Sequence, residues 1–362
     1  MAKQAGTQDR VVAVALSAVT SHDSPLPVIH WTFENILRRG DRVIFMHSEP
    51  EDDPYLFAGG VQTLKEYETW QTILQDRNDQ DRTSSSSRET MGESPTSTQW
   101  LATVDHPLTC PAQIKAGLEA FTKPFLDECK EKGAQADTLF LRGDARDAVV
   151  DTCEEQRVDI LITGTRGLGT VKRAILGSVS DYAMHHCRCC VIVVRDTVRV
   201  PRPLDVARRV GLALEPQTAD YVWHFAQNSQ LIRPGDHVTL FHVSPLLKAG
   251  VVCCSTLPAE ETMEGDGGGS LDDDDARVAR ARHDFLSLLR PLVAETPDLL
   301  YAAILLAGEP GEAIQAGSDA HKLDLLILGT RGHGVVKRLV LGSVSTFVAH
   351  HCHCPVALIH KP

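Results

Sequence analysis

The stretch GTRGLGTVKRAILGSVSDYAMHHC, Gly164 to Cys187, recurs 165 residues later as GTRGHGVVKRLVLGSVSTFVAHHC, Gly329 to Cys352. Sixteen of the 24 positions are identical, far more than chance gives, so the chain carries one unit twice. Upstream, GDRVIFMH (Gly40 to His47) pairs with GDHVTLFH (Gly235 to His242) at a shift of 195, which leaves about 30 extra residues in the first copy. A chain of 362 residues is longer than one core usually grows, and the repeat divides it into domains over 8–198 and 206–362.

Within each copy, short β-branched runs alternate with helical patterns, the sign of βαβ units around a parallel sheet. The runs are Val11 to Leu16, Arg42 to Met46, Thr138 to Leu141, Asp159 to Thr163 and Val191 to Val194, then Val210 to Leu214, His237 to Phe241, Tyr301 to Leu306, Asp324 to Leu328 and Val356 to Ile359. Helices are expected over Ala145 to Glu155 and Gly311 to Ala320, each just after a Gly-Asp or Gly-Glu-Pro turn. A linker with Pro201 and Pro203 joins the halves. Two segments, about 49–107 and 248–275, read as long insertions after strand 2. The first holds Ser84 to Ser87 and is read as a solvated linker; the second is acidic and glycine-rich and is read as a solvated loop.

The net charge of −12 argues against a nucleic-acid partner, because phosphate backbones are held by basic surfaces. Eight acidic residues between Lys248 and Arg277 supply most of it. No apolar run approaches a bilayer span, and no stretch near Met1 looks like a signal, so a cytosolic protein without a membrane partner is expected. The ten cysteines, several of them adjacent, read as reduced thiols.

After strand 4 each copy reads Gly-x2-Gly-x9-Gly-Ser: Gly164, Gly167, Gly177, Ser178 and Gly329, Gly332, Gly342, Ser343. The first two glycines let the backbone turn and approach a ligand without a Cβ in the way. The Gly-Ser pair opens the next helix, whose unsatisfied N–H groups favour an anion. Ser178 and Ser343 are placed to cap that helix or to donate to a phosphate, and Ser180 and Ser345, one turn in, to do the same. In open α/β sheets, ligands bind beyond the carboxyl ends of the strands, where this loop lies.

At these residues the sequence resembles the universal stress protein family in its tandem form. The resemblance runs through both domains and implies a Rossmann-like five-stranded parallel sheet of order 3-2-1-4-5 in each, with helices on both faces. It implies pairing of the domains through strand 5, with a homodimer as a further option. It also implies binding of ATP, or of AMP or ADP, with magnesium accompanying ATP. The ribose and phosphate positions carry over to Gly164, Gly167, Gly177, Ser178, Val179 and Ser180, and to Gly329, Gly332, Gly342, Ser343, Val344 and Ser345. The family's ATP binders usually place an aspartate at the end of strand 1; here Ser17 and Glu215 stand there. Glu215 keeps a carboxylate, so domain 2 is expected to bind more tightly. A slow ATPase or phosphotransferase and a nucleotide-free scaffold are the alternatives; there is no Walker lysine motif, and no catalytic residue is assigned.

The motif His-His-Cys-x-Cys also occurs twice, as His185, His186, Cys187, Cys189 and as His350, His351, Cys352, Cys354, with His353 added in the second. Such density suits zinc, yet no metal is expected, since antiparallel strand 5 edges put the clusters at opposite ends of the ladder. Lys172 with Arg173, and Lys337 with Arg338, read as exposed basic pairs; Arg166 and Arg331 sit closer to the first glycines.

Overall fold

The computed structural model describes residues 10–16, 25–49, 111–165, 176–195, 207–244, 247, 253–256, 273–294, 299–330 and 341–361. Ser17, Gly167, Gly332, the basic residues of the glycine loops and nearly all of the first insertion lie outside them.

The first half runs β1 (Val11–Ala15), α1 (Leu26–Asn35), β2 (Arg42–Glu49), α2 (Pro111–Glu131), β3 (Gln135–Arg142), α3 (Ala145–Glu155), β4 (Ile160–Gly164), α4 (Ser178–His186) and β5 (Cys190–Val194). The second runs β6 (Arg209–Ala213), α5 (Ala219–Asn228), β7 (His237–Val243), β8 (Cys253–Thr256), α6 (Asp273–Ala294), β9 (Leu300–Leu306), α7 (Pro310–Ala320), β10 (Leu325–Gly329), α8 (Ser343–His351) and β11 (Val356–Ile359). All ten expected strands and both expected helices are present. The Gly-Asp and Gly-Glu-Pro turns require left-handed backbone, with Gly143 at φ +106° and Gly308 at φ +111°. Asp144 then caps α3, its carboxylate accepting from Arg146 N–H at 2.9 Å, while Pro310 occupies the first turn of α7.

One sheet of eleven strands runs through the molecule in the order β3-β2-β1-β4-β5-β11-β10-β6-β7-β9-β8. The first half has the expected order, all parallel. The two halves join through antiparallel pairing of β5 with β11, with Val193 opposite Val356 and Val191 opposite Leu358. Strand residues alternate between two cores, so Val12 and Val14 pack on one face and Val11 and Ala13 on the other. The first face is covered by α1, α2, α5 and α6, through Trp31, Phe125, Trp223 and Phe285. The opposite face is covered by α3, α4, α7 and α8, through Val149, Met184, Ile314 and Val348. Strands buried on both faces explain why they read as unbroken apolar runs. No helix of the described residues is long and apolar enough to cross a membrane.

Two details of the second half depart from the reading of the sequence. It has a sixth strand, β8, antiparallel to β9 at the sheet edge, within the segment read as a loop. The same segment ends as helix, because α6 starts at Asp273 in the acidic tract; carboxylate-bearing residues favour a helix N-terminus. Strands β3 and β9 also begin earlier than expected, at Gln135 and Leu300.

Buried arginines cross between the halves. Arg208 pairs with Asp236 and donates from Nη1 to the Asn35 carbonyl at 3.1 Å; Arg233 donates to the same carbonyl at 2.6 Å. Arg10 and Asp41 mirror the Arg208 and Asp236 pair in the first half. Buried backbone carbonyls at the ends of α1 and α5 thus find donors in the opposite domain.

Candidate functional site

Strands β4 and β10 end at Gly164 and Gly329, and Leu176 and Leu341, just before the next helices, are both buried. Gly177 and Gly342 then occupy the N-cap positions of α4 and α8, with φ −68° and ψ 150° and 153°. Neither helix has a side-chain cap. Ser178 and Ser343 therefore do not cap, contrary to one of the roles considered for them; each is the first helical residue and is exposed. The amides of the first turn keep no intrahelical partner.

Ser180 and Ser345 are buried, and their hydroxyls are already committed. Ser180 Oγ donates to the Gly164 carbonyl at 2.7 Å, and Ser345 Oγ to the Gly329 carbonyl at 3.2 Å. Each serine ties the helix start to the strand end 16 residues before it, so it fixes the width of the loop mouth rather than offering a free donor. Val179 and Val344, half-buried, pack against the apolar core beneath.

Gly164 and Gly329 have a different reason to be glycine from the one their spacing suggests. A Cβ on Gly164 would lie 2.8 Å from Val28 Cγ2 of α1. On Gly329 it would lie 2.7 Å from Tyr221 Oη, 2.8 Å from Val222 Cγ2 and 2.9 Å from Thr218 Cβ. Close packing of α1 and α5 over the strand ends, not approach to a ligand, occupies that space.

Around Gly329 further polar groups gather. Glu215 follows β6, is half-buried, and its carbonyl accepts from the N–H groups of Thr218 at 2.9 Å and Ala219 at 2.8 Å, opening α5. Tyr221 Oη donates to the Thr330 carbonyl at 2.8 Å. Burial pushes the Tyr221 phenol up to about 12, and the neighbouring Glu215 charge adds to the shift, so the phenol stays a proton donor. Val28 holds the corresponding place against Gly164. No local spacing marks Tyr221, which lies in the first turn of α5, over 100 residues from the strand it touches.

The His-His-Cys-x-Cys motifs split on folding. His186 and His351 turn to their own helices, Nδ1 lying 2.8 and 2.7 Å from the Tyr182 and Phe347 carbonyls and each ring stacked on that aromatic residue. His350 Nε2 meets Asp181 Oδ1 of the other domain at 3.1 Å. The described cysteines form no disulfide.

Two helix starts without side-chain caps thus follow the carboxyl ends of parallel strands, and in the second half Glu215 stands after β6, the strand that pairs with β10. The sequence profile of the universal stress protein family matches residues 11–195 and again 207–360. Universal stress protein PHOS32 of Arabidopsis thaliana is 29% identical over 175 residues, 45% of this chain and 69% of its own length. Universal stress protein PHOS34 of the same plant is 29% identical over 174 residues and covered to 65% of its length, so the chain spans about two thirds of these relatives. Among solved structures, a universal stress protein from Archaeoglobus fulgidus superposes with a TM-score of 0.57 at 15% identity, over 98% of this chain and 100% of that one. With its profile matched twice and almost from end to end, the chain belongs to the universal stress protein family.

Proposed function

We propose that this protein binds an adenine nucleotide, foremost ATP, with the phosphates at the N-terminus of α8 and of α4, and that this occupancy serves a stress response. The observation that carries the proposal is the pair of uncapped helix starts, Gly342-Ser343 and Gly177-Ser178, at the carboxyl edge of a parallel sheet. Their amides suit phosphate oxygens, and the exposed hydroxyls of Ser343 and Ser178 add donors. Membership of the family supports the ligand class. We favour the second domain because Glu215 carries a carboxylate just after β6, the strand paired with β10, suited to ribose hydroxyls, where the first copy has Ser17. Gly167 and Gly332 belong to the proposed loops by spacing alone. The test is direct: the purified full chain is denatured, the released small molecules are identified by mass, and ATP, ADP and AMP are titrated into the nucleotide-free protein. Recovery of an adenine nucleotide, or saturable binding, supports the reading; the absence of both would overturn it.

A further inference from the structure

Cys153 of α3 and Cys187 and Cys189, which follow α4, bring their sulfurs within 4.8 Å of one another. They line a cavity of about 400 Å³ together with Arg157, Tyr221 and His360. His360 reaches this cavity from the other domain: the antiparallel register that sets Leu358 opposite Val191 continues to put His360 opposite Cys189. The imidazole is 6% exposed. Its Nδ1 lies 3.1 Å from Thr330 Oγ1, while Nε2 is buried with no hydrogen-bond partner. A buried ring nitrogen left in this way has no protein partner for its lone pair or its proton.

We propose that Cys153, Cys187 and Cys189 bind a zinc ion as thiolates, with His360 Nε2 as the fourth ligand, so that one ion bridges the two domains. Three sulfurs and one imidazole form a tetrahedral set that zinc favours, with zinc–sulfur bonds of about 2.3 Å and sulfurs about 3.8 Å apart. The sulfur spacing needs only a small closing movement, with His360 brought in from the wall of the same cavity. Thr330 Oγ1 also lies 3.5 Å from the Ile359 carbonyl; a hydroxyl that donates there accepts from His360 Nδ1–H, the tautomer that leaves Nε2 for the metal. Binding releases the thiol protons to solvent.

The second copy serves as an internal control. At the position of Cys153 it has Ser318, whose hydroxyl lies 3.6 Å from Cys352 Sγ. In place of His360 the first domain offers Arg195, a cation that cannot ligate and that donates instead to the Ala349 carbonyl at 2.6 Å. Only one of the two repeated motifs is completed by folding, and Ser318 shows that the fold accepts serine where Cys153 stands.

The full chain, purified without a histidine tag under reducing conditions, is expected to carry about one zinc per molecule, or to bind zinc in competition with a chromogenic chelator. Cobalt substituted for zinc should give a thiolate charge-transfer band. Cys153→Ser and Cys189→Ser should each weaken zinc binding about a hundredfold or more, and His360→Ala about tenfold or more, while Cys352→Ser leaves it unchanged. Absence of metal together with no measurable affinity, a cobalt spectrum without thiolate character, or loss of binding in Cys352→Ser alone would each overturn the site; an unchanged affinity in His360→Ala would remove the bridging ligand. Nucleotide content is measured on the same samples and is expected not to follow these substitutions, which separates this site from the proposed phosphate loops.

Discussion

Arg10 and Asp41 form a two-pronged buried pair, Nε to Oδ1 at 3.0 Å and Nη2 to Oδ2 at 2.6 Å, and the same guanidinium donates from Nη1 to the Ser229 carbonyl of the other domain. Asp41 is 1% exposed and also takes the Arg38 backbone N–H at 2.9 Å. One side chain therefore links strand entry, helix end and the neighbouring domain.

Removing the arginine leaves a carboxylate in a dry site with less than its full set of donors. Arg10→Ala is expected to lower unfolding stability by about 3 kcal/mol or more, read from urea denaturation. The double variant Arg10→Ala with Asp41→Asn should cost less than Arg10→Ala alone, because the stranded charge is gone; an equal or larger loss would show that the arginine acts by packing.

The two strand-end glycines should differ in their tolerance of a methyl group. Gly329→Ala sets a Cβ against Tyr221 and Val222 of α5 and Thr218 just before it, and is expected to cost about 1–3 kcal/mol. Gly164→Ala meets only Val28 Cγ2, which can turn away, and should cost less. Thermal unfolding of the two variants orders them.

An aspartate at the α8 N-cap separates fold from binding. Gly342 has the extended φ and ψ of an N-cap, so Gly342→Asp should cap the helix and add a few tenths of a kcal/mol up to about 1 kcal/mol of stability. The same carboxylate repels an anion at those amides. ATP affinity at this site should therefore fall at least tenfold while the melting temperature holds or rises; unaltered affinity would place the phosphates elsewhere.

Acid should unfold the protein partly through its buried histidines. His30 packs edge-on against Phe125, with ring centroids 6.0 Å apart, and burial lowers its pKa from 6.5 to about 4. The folded state keeps this imidazole neutral, while the unfolded chain takes up a proton below about pH 6.5. Stability is thus full above that pH and is lost as pH falls toward 4, by on the order of 3 kcal/mol. Burial shifts His47 the same way. His30→Phe should flatten the slope between pH 6.5 and 4 in denaturant titrations.

What was legible in the sequence is local or repeated. Apolar runs such as Ile160 to Thr163 and Leu325 to Leu328 announce buried strands because both faces of each are covered. Gly143 and Gly308 announce turns because φ near +110° suits few other residues. Even β8 left a trace in Val251-Val-Cys-Cys-Ser-Thr256, which the acidic residues that follow outweighed. The roles of individual glycines and serines were not legible in the same way. Spacing gives Gly164, Ser180 and their partners one reading, whereas the distances to Val28 Cγ2 and to the Gly164 carbonyl give another.

The sequence by itself determined the duplication, the order of strands and helices in each copy, and the two Gly-Ser helix starts, because each depends on residues close together in the chain. Only tertiary structure decided which side chains share a site. Cys153 meets Cys187 and Cys189 because α3 and α4 lie on the same face of the sheet. His360 joins them because β5 and β11 run antiparallel, which sets the residue after the last strand of one repeat beside the start of the last strand of the other. Two nearly identical motifs thereby receive different surroundings, Cys153 and His360 for one, Ser318 and Arg195 for the other. Those partners are fixed by packing and register over long separations, and no local spacing in the chain encodes them.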